Sequence, residues 1–127
     1  MYEKNPLSPH LQIYKWGITM ALSISHRIIG VVNFISILFI SLIVIYLQFG
    51  AENYQIINLI LNSLLGKVLI IFLCWSFSFH ALNELRHLLW DFGFGYDLKT
   101  SRITGAITIF GSFALAIVIF LIGKNFI

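Results

Sequence analysis

Two histidines, a glutamate and an arginine lie within one of the most apolar parts of the chain, in the stretch FHALNELRHLLWDFGFG (residues 79–95). Ionisable side chains inside a membrane are costly, and by default they face protein or a cavity and mark a functional site. His80 and His87 are seven residues apart, so on a helix they share one face about 10 Å apart along the axis, with Glu84 between them. The spacing therefore predicts a cluster of ionisable groups on one side of one helix.

His80 falls in the middle third of this helix, where a neutral imidazole can bind haem iron through one nitrogen. Such a site needs a second axial ligand opposite and cationic groups for the haem propionates. His87, Arg27 and Arg86 are the candidates for the propionates. An interhelical hydrogen bond explains a buried membrane histidine equally well. The residues alone leave both interpretations of His80 open.

Glu84 and His87 also have the i, i+3 spacing of the Glu-x-x-His pairs that hold di-iron centres in helical bundles. Such a centre needs a second pair and two further carboxylates. The other acidic residues lie outside the predicted spans or at their ends: Glu3, Glu52, Asp91 and Asp97. A di-iron centre is therefore disfavoured.

A second polar group opens the first long apolar segment, in SISHRIIG (residues 23–30). Ser23 lies three residues before His26 and four before Arg27, so one helix face presents a hydroxyl, an imidazole and a guanidinium. Such donors can orient a neutral quinone, whose carbonyl oxygens accept hydrogen bonds and whose reduction takes up protons. A snorkelling Arg27 with Ser23 as a helix cap explains the same spacing, and spacing alone favours that interpretation.

The elements that must position these residues are membrane-spanning helices. Of the 127 residues, 59% are hydrophobic and only 10% are charged, against about 25% charged in soluble domains. Residues 28–49 and 103–123 carry no charge and have the length of about 20 residues that a span requires. We predict an all-α membrane protein, a single membrane-anchor domain over residues 1–127. It has an N-terminal tail (1–18) and three transmembrane helices, at about 19–48, 61–90 and 102–125.

The second of these helices has a short uncharged run, Val68 to Phe79, and must continue through the ionisable stretch to Trp90 to cross the membrane. Gly93 and Gly95 follow it and favour a helix end.

The basic residues predict the orientation of the chain. Most flank the tail and the second loop: Lys4, Lys15, Arg27, Arg86, Lys99 and Arg102; Lys67 and Lys124 lie at the other side. The positive-inside rule therefore places the N-terminus in the cytoplasm or matrix and the C-terminus outside, with an outer loop at about residues 48–60. Trp16, Trp90 and Tyr96 are predicted at the inner interface. Because the basic residues are scattered, no patch for nucleic acid is predicted.

The motifs SPHLQIYKW, SISHRIIG and His-x6-His within FHALNELRHLLWDFGFG, in this order, resemble the cytochrome b556 subunit family of succinate dehydrogenase, the larger membrane anchor of respiratory complex II. The resemblance covers about residues 7–97, and the third span matches only in being a span. It implies a multi-pass protein of a bacterial or mitochondrial inner membrane. With a second, smaller anchor subunit, it would hold the flavoprotein and iron–sulfur subunits on the bilayer, bind haem b and form the ubiquinone reduction site. Succinate oxidation itself would occur in a partner subunit.

The resemblance also implies roles for individual residues. His80 matches the axial ligand of the haem iron, the other axial histidine coming from the partner anchor. The positions near the haem propionates are matched by His26, Arg27 and His87. The quinone-site positions are matched by Ser23 and Arg27, with Asp91 beside them.

One position departs from the family pattern. Where the family usually reads NGIRH, this chain has Asn83, Glu84, Leu85, Arg86 and His87, so a glutamate replaces a glycine one turn from the implied haem ligand. Glycine would let a porphyrin or a helix come close, whereas Glu84 fills that space with a potential charge. We expect haem b to be retained because the other implied haem residues are present. The alternatives are a structural anchor without haem and the anchor of a fumarate reductase.

Overall fold

A computed structural model of the chain describes residues 17–126. Over that range it is all-helical, with no strand, and the four helices are α1 (Ile18–Leu47), α2 (Ala51–Asn62), α3 (Leu64–Asp91) and α4 (Leu98–Phe126). The predictions for the tail, including the SPHLQIYKW motif and the interfacial position of Trp16, lie outside the described residues.

Three of the helices are long and apolar enough to cross a membrane: α1, α3 and residues Leu98–Asn125 of α4. Each has at least 28 residues, more than the roughly 20 that a span requires. Many of their large apolar side chains point outward; Phe34 is 64% exposed and Phe110 is 75% exposed. Lipid or partner subunits must cover these surfaces. The prediction of an all-α protein with three long apolar helices is confirmed.

Helix α2 lies where the sequence predicted a loop. Its first turn carries Glu52, and the positive end of the helix dipole stabilises a negative carboxylate at this position. The preceding Gly50 has a φ of +147°, a backbone conformation that side chains disfavour. This turn lets the chain leave α1 and start a short helix at once.

The junction between α2 and α3 is tight. The Ser63 hydroxyl accepts a hydrogen bond from the Gly66 amide at 3.1 Å and so caps α3. A Cβ atom at Gly66 would lie 2.1 Å from the carbonyl oxygen of Ile60, so only glycine fits at this position. Helix α3 therefore begins at a tight turn whose geometry is fixed by Ser63 and Gly66.

Helix α3 is central and contacts each of the other three helices. It runs antiparallel to α1, because Asn33 of α1 contacts Ser76 while His26, earlier in α1, contacts Glu84, later in α3. It also runs antiparallel to α4. The start of α1 (residues 18–27), the end of α3 (80–91) and the start of α4 (98–105) therefore lie together, and we call this the histidine end of the bundle.

The interior between the helices is small and largely polar. The buried apolar residues are Leu22, Ile29, Phe79 and Ala116, and the buried polar residues are Asn33, Ser76, Ser78, Asn83, Arg86, Ser101, Thr108 and Ser112. Lipid tails are as apolar as leucine, so membrane helices associate through close packing and hydrogen bonds between small and polar side chains. Close packing is visible at Gly105 of α4, where a Cβ atom would lie 2.7 Å from Leu22 of α1.

Candidate functional site

Three histidines and a glutamate, from α1 and α3, meet at the histidine end. The rings of His26 and His80 are stacked, with centroids 4.2 Å apart and planes 5° from parallel. The His87 ring centroid lies 5.4 Å from that of His26. Nε2 of His26 donates a hydrogen bond to Oε1 of Glu84 at 2.9 Å. We call these four residues the histidine cluster.

The pattern of small and polar residues along the α1–α3 contact builds this cluster. On α1, His26, Gly30 and Asn33 follow the i, i+4, i+7 spacing of one helix face. A Cβ atom at Gly30 would lie 3.3 Å from Cε1 of His80, so this glycine lets the His80 ring lie close to the α1 backbone. Gly30 was not predicted as a site residue from the sequence, although its position one turn after His26 was a usable signal.

His80 has unused hydrogen-bonding capacity. Its Nδ1 is buried and, among the described residues, has no hydrogen-bond partner. Its Nε2 lies 3.9 Å from Oε1 of Glu84, which is too far for a hydrogen bond. The side chain as a whole is 32% exposed. The interhelical hydrogen bond that would explain His80 without a ligand is therefore not formed.

His26, His80 and Glu84 each offer one ligand atom, and these atoms lie within 4.8 Å of one another. Imidazole nitrogens and carboxylate oxygens are ligands for transition metals. The cluster therefore has the donor chemistry of a metal or haem site on the surface of the α1–α3 pair.

Arg86 faces α4, not the histidine cluster. It is only 4% exposed. Its guanidinium donates to the Ser101 carbonyl at 3.0 Å, to the Ser101 hydroxyl at 2.9 Å and to the Thr104 hydroxyl at 3.2 Å. The guanidinium carbon also lies 4.3 Å from the Trp90 ring centroid. The expectation that Arg86 accompanies His87 toward haem propionates is therefore wrong, because this side chain joins α3 to α4.

The residues predicted at a quinone site lie at the histidine end but form no contact with one another in the described part of the chain. Ser23 is half-buried inside α1 and donates to the Thr19 carbonyl at 3.0 Å, so it is not a helix cap. Arg27 and Asp91 are exposed. Within residues 17–125, neither has a side-chain hydrogen bond or ion pair.

Two grooves run along the bundle. One, of about 590 Å³, lies between α3 and α4 and is lined by Arg86, Trp90 and Thr104 among others. The other, of about 440 Å³, is lined by residues of α1, α3 and α4 that include Ile29 and Phe79. Neither groove is lined by Ser23 or Arg27. A ligand held by those two residues would need further walls from outside the described residues.

Comparison with known proteins decides the family of this chain. Residues 1–119 match the family described as Succinate dehydrogenase/Fumarate reductase transmembrane subunit. The chain belongs to this family. The match covers all three long helices except the last residues of α4.

Individual members of the family are similar over most of their length. The succinate dehydrogenase cytochrome b556 subunit of Rickettsia conorii is 33% identical over 119 residues, 94% of this chain and 93% of the relative. That of Rickettsia prowazekii is 36% identical over 105 residues, 83% and 82% of the two chains. The cytochrome b560 subunit of Reclinomonas americana is 35% identical over 122 residues, covering 92% and 85%.

The resemblance deduced from the motifs is confirmed. This chain is a membrane subunit of the succinate dehydrogenase cytochrome b type. With bacterial and mitochondrial relatives and three long apolar helices, it is a multi-pass inner-membrane protein. As a member of this family it works in a membrane complex with partner subunits.

Proposed function

We propose that this chain is the large membrane anchor of a succinate:ubiquinone oxidoreductase, and that it binds haem b together with a second anchor subunit. It contributes to the ubiquinone reduction site, whereas succinate oxidation belongs to the flavoprotein and iron–sulfur subunits. The observation that carries this proposal is the histidine cluster, present in a chain of this family and exposed on the α1–α3 surface.

The residues of the cluster fit a haem group. His80 is partly exposed at mid-helix and has a buried nitrogen without a partner among the described residues. Its other nitrogen, Nε2, makes no hydrogen bond within residues 17–125, so it is the atom available to an outside group such as haem iron. Gly30 leaves room beside it. When bound, haem supplies a one-electron redox centre whose potential depends on its axial ligands.

His80 would hold the haem iron, and a histidine of the second anchor would hold its opposite side. The propionates would be held by Arg27 and His87. His26 was also expected there, but its Nε2 donates to Glu84 and its Nδ1 is buried, so it supports the His80 ring instead. The stack of His26 on His80 restricts rotation of the His80 ring, and the surrounding apolar helices exclude water. Both effects keep the ligand oriented.

Ser23, Arg27 and Asp91 are the proposed quinone-site residues. Ser23 and Arg27 are one helical turn apart at the histidine end, and Asp91 ends α3 at the same end. The guanidinium can donate charge-assisted hydrogen bonds to a quinone carbonyl, whose oxygen gains negative charge on reduction. The exposed carboxylate of Asp91 can exchange protons beside it. Partner subunits would complete the pocket.

The same end of the bundle is proposed to face the cytoplasm or matrix, where the iron–sulfur subunit would dock. Arg27, Lys99 and Arg102 are exposed there, whereas Lys67 and Lys124 lie at the opposite end. The positive-inside rule thus gives an inner N-terminus and an outer C-terminus. The chain would act as a single membrane-anchor domain over residues 1–127, with its spans in α1, α3 and α4.

Replacing Arg27 with leucine tests the quinone assignment. A charge-assisted hydrogen bond is worth about 1.5–3 kcal/mol, so ubiquinone reduction by the purified complex is expected to fall about 10- to 100-fold. Succinate oxidation measured with an artificial acceptor should stay near the wild-type rate, because that reaction does not pass through the membrane subunit.

Arg102→Leu is the matched control, since Arg102 is an exposed arginine at the same end on α4. Its ubiquinone reductase activity should be unchanged. If Arg27→Leu lowers ubiquinone reduction and succinate oxidation together, Arg27 is needed for assembly of the complex and not for quinone binding. Reduction of menaquinone in preference to ubiquinone by the wild-type complex would instead indicate a fumarate reductase anchor.

A further inference from the structure

We propose that Glu84 is a positioning residue of the haem site. Its carboxylate fixes the His26 ring through a hydrogen bond, and the His26 ring in turn fixes the orientation of the His80 ring. This inference rests on the proposed function, because it assumes that His80 holds haem.

The first step is the contact between the two helices. His26 belongs to α1 and Glu84 to α3, and the hydrogen bond from Nε2 of His26 to Oε1 of Glu84 is 2.9 Å long. His26 has no other hydrogen bond within the described residues, since its Nδ1 is buried without a partner. The Glu84 carboxylate is therefore the polar group that sets the rotation of the His26 ring.

The second step is the contact between the two rings. The His26 ring lies parallel to the His80 ring at 4.2 Å, and Gly30 contacts the edge of His80 near Cε1. No hydrogen bond within residues 17–125 holds either nitrogen of His80. Packing against the His26 ring, in the space that Gly30 leaves beside Cε1 of His80, is thus what orients this imidazole, and the His26 side of that packing depends on Glu84.

The carboxylate supports His80 without competing for it. Oε1 of Glu84 lies 3.9 Å from Nε2 of His80, beyond hydrogen-bond distance, so the nitrogen remains free for a ligand. The Glu84 side chain is 58% exposed on a membrane helix, where a carboxylate is costly and leucine is favourable. A residue that is costly for folding and placed beside the haem ligand fits a role in the site.

The test compares Glu84→Leu and Glu84→Gln in the whole complex purified with its partner subunits. Leucine is apolar and close in size to glutamate and is a good helix former, so helix α3 should be retained, but it cannot accept the hydrogen bond from His26. Glutamine keeps an acceptor oxygen at the same reach. Glu52→Leu, on exposed α2 at the opposite end, is the matched control. The readout is the electron paramagnetic resonance spectrum of the ferric haem, which depends on the orientation of its axial imidazoles.

We expect Glu84→Leu to shift or broaden the low-spin ferric signal, or to lose haem, while Glu84→Gln and Glu52→Leu keep the wild-type signal. The inference is overturned if Glu84→Leu retains haem with an unchanged signal, or if Glu84→Gln changes the haem as much as Glu84→Leu does. A wild-type complex without any b-type haem would instead refute the proposed function, so the two failures are distinguishable.

Discussion

Replacing Arg86 with leucine is expected to destabilise the bundle by about 3 kcal/mol. The guanidinium donates to Asn83, Ser101 and Thr104, and it is the main polar link between α3 and α4. Hydrogen bonds between membrane helices are individually worth only about 0.6–2 kcal/mol, but several are lost together here. Leucine would also leave the buried Oδ1 of Asn83 and the Ser101 hydroxyl without this donor, whereas the Ser101 carbonyl still accepts from Thr104. The measurement is the unfolding temperature of the purified complex.

Arg102→Leu again serves as the control, because Arg102 is exposed on α4, the helix that Arg86 contacts. Arg86→Lys should fall between wild type and Arg86→Leu, since a lysine keeps the charge but cannot form the planar fork of hydrogen bonds. An Arg86→Leu complex that unfolds at the wild-type temperature would show that the α3–α4 contacts of Arg86 contribute nothing to stability.

Replacing Gly30 with leucine is expected to weaken haem binding strongly. A Cβ atom at this position already lies 3.3 Å from Cε1 of His80, so the longer side chain must push the imidazole away from α1. Overpacking of this kind costs about 1–3 kcal/mol, which corresponds to a loss of about 5- to 150-fold in haem affinity if the cost falls on the bound state. Haem content relative to flavin in the purified complex is the measurement.

Gly123→Leu is the matched control, because a Cβ atom at Gly123 of α4 meets nothing within 4 Å. Its haem content should equal that of wild type. Gly30→Ala should give an intermediate loss, since its Cβ requires His80 to shift by only a few tenths of an ångström. Full haem content in Gly30→Leu would mean that the His80 ring does not need its place beside α1.

Helices α1 and α4 follow from composition, because uncharged apolar runs of this length are stable only in a bilayer, and α3 follows from extending its short uncharged run through the ionisable stretch to Trp90. Helix α2 does not, since its sequence AENYQIINLILN mixes polar residues with short apolar runs, the longest of them Leu59–Leu61, and has no charge pattern to mark a helix face. The turn at Gly50 begins helix α2, and the close contact of Gly66 with Ile60 and Leu61 fixes how α2 joins α3. Those contacts depend on the packing of α2 against α3, which local sequence does not specify.

Part of the candidate site was also predictable. The seven-residue spacing of His80 and His87 places both on the side of α3 that meets His26. The partner of each ionisable group was not predictable, because it lies on another helix. Arg86, only one residue from His87, turns to α4, and Glu84 pairs with His26 of α1. Position along the helix axis follows from sequence, whereas direction around that axis is decided by which neighbour each face meets.

The central claim, that His80 holds a haem b, is tested most directly by a reduced-minus-oxidised absorption spectrum of the complex purified with its partner subunits. Wild type and His80→Leu are compared, with Cys74→Ala as the control, a half-buried position on the same helix. We predict a reducible b-type haem band in the wild-type and Cys74→Ala complexes and no such band in His80→Leu. A wild-type complex without the band, or a His80→Leu complex that keeps it in full, would contradict the claim.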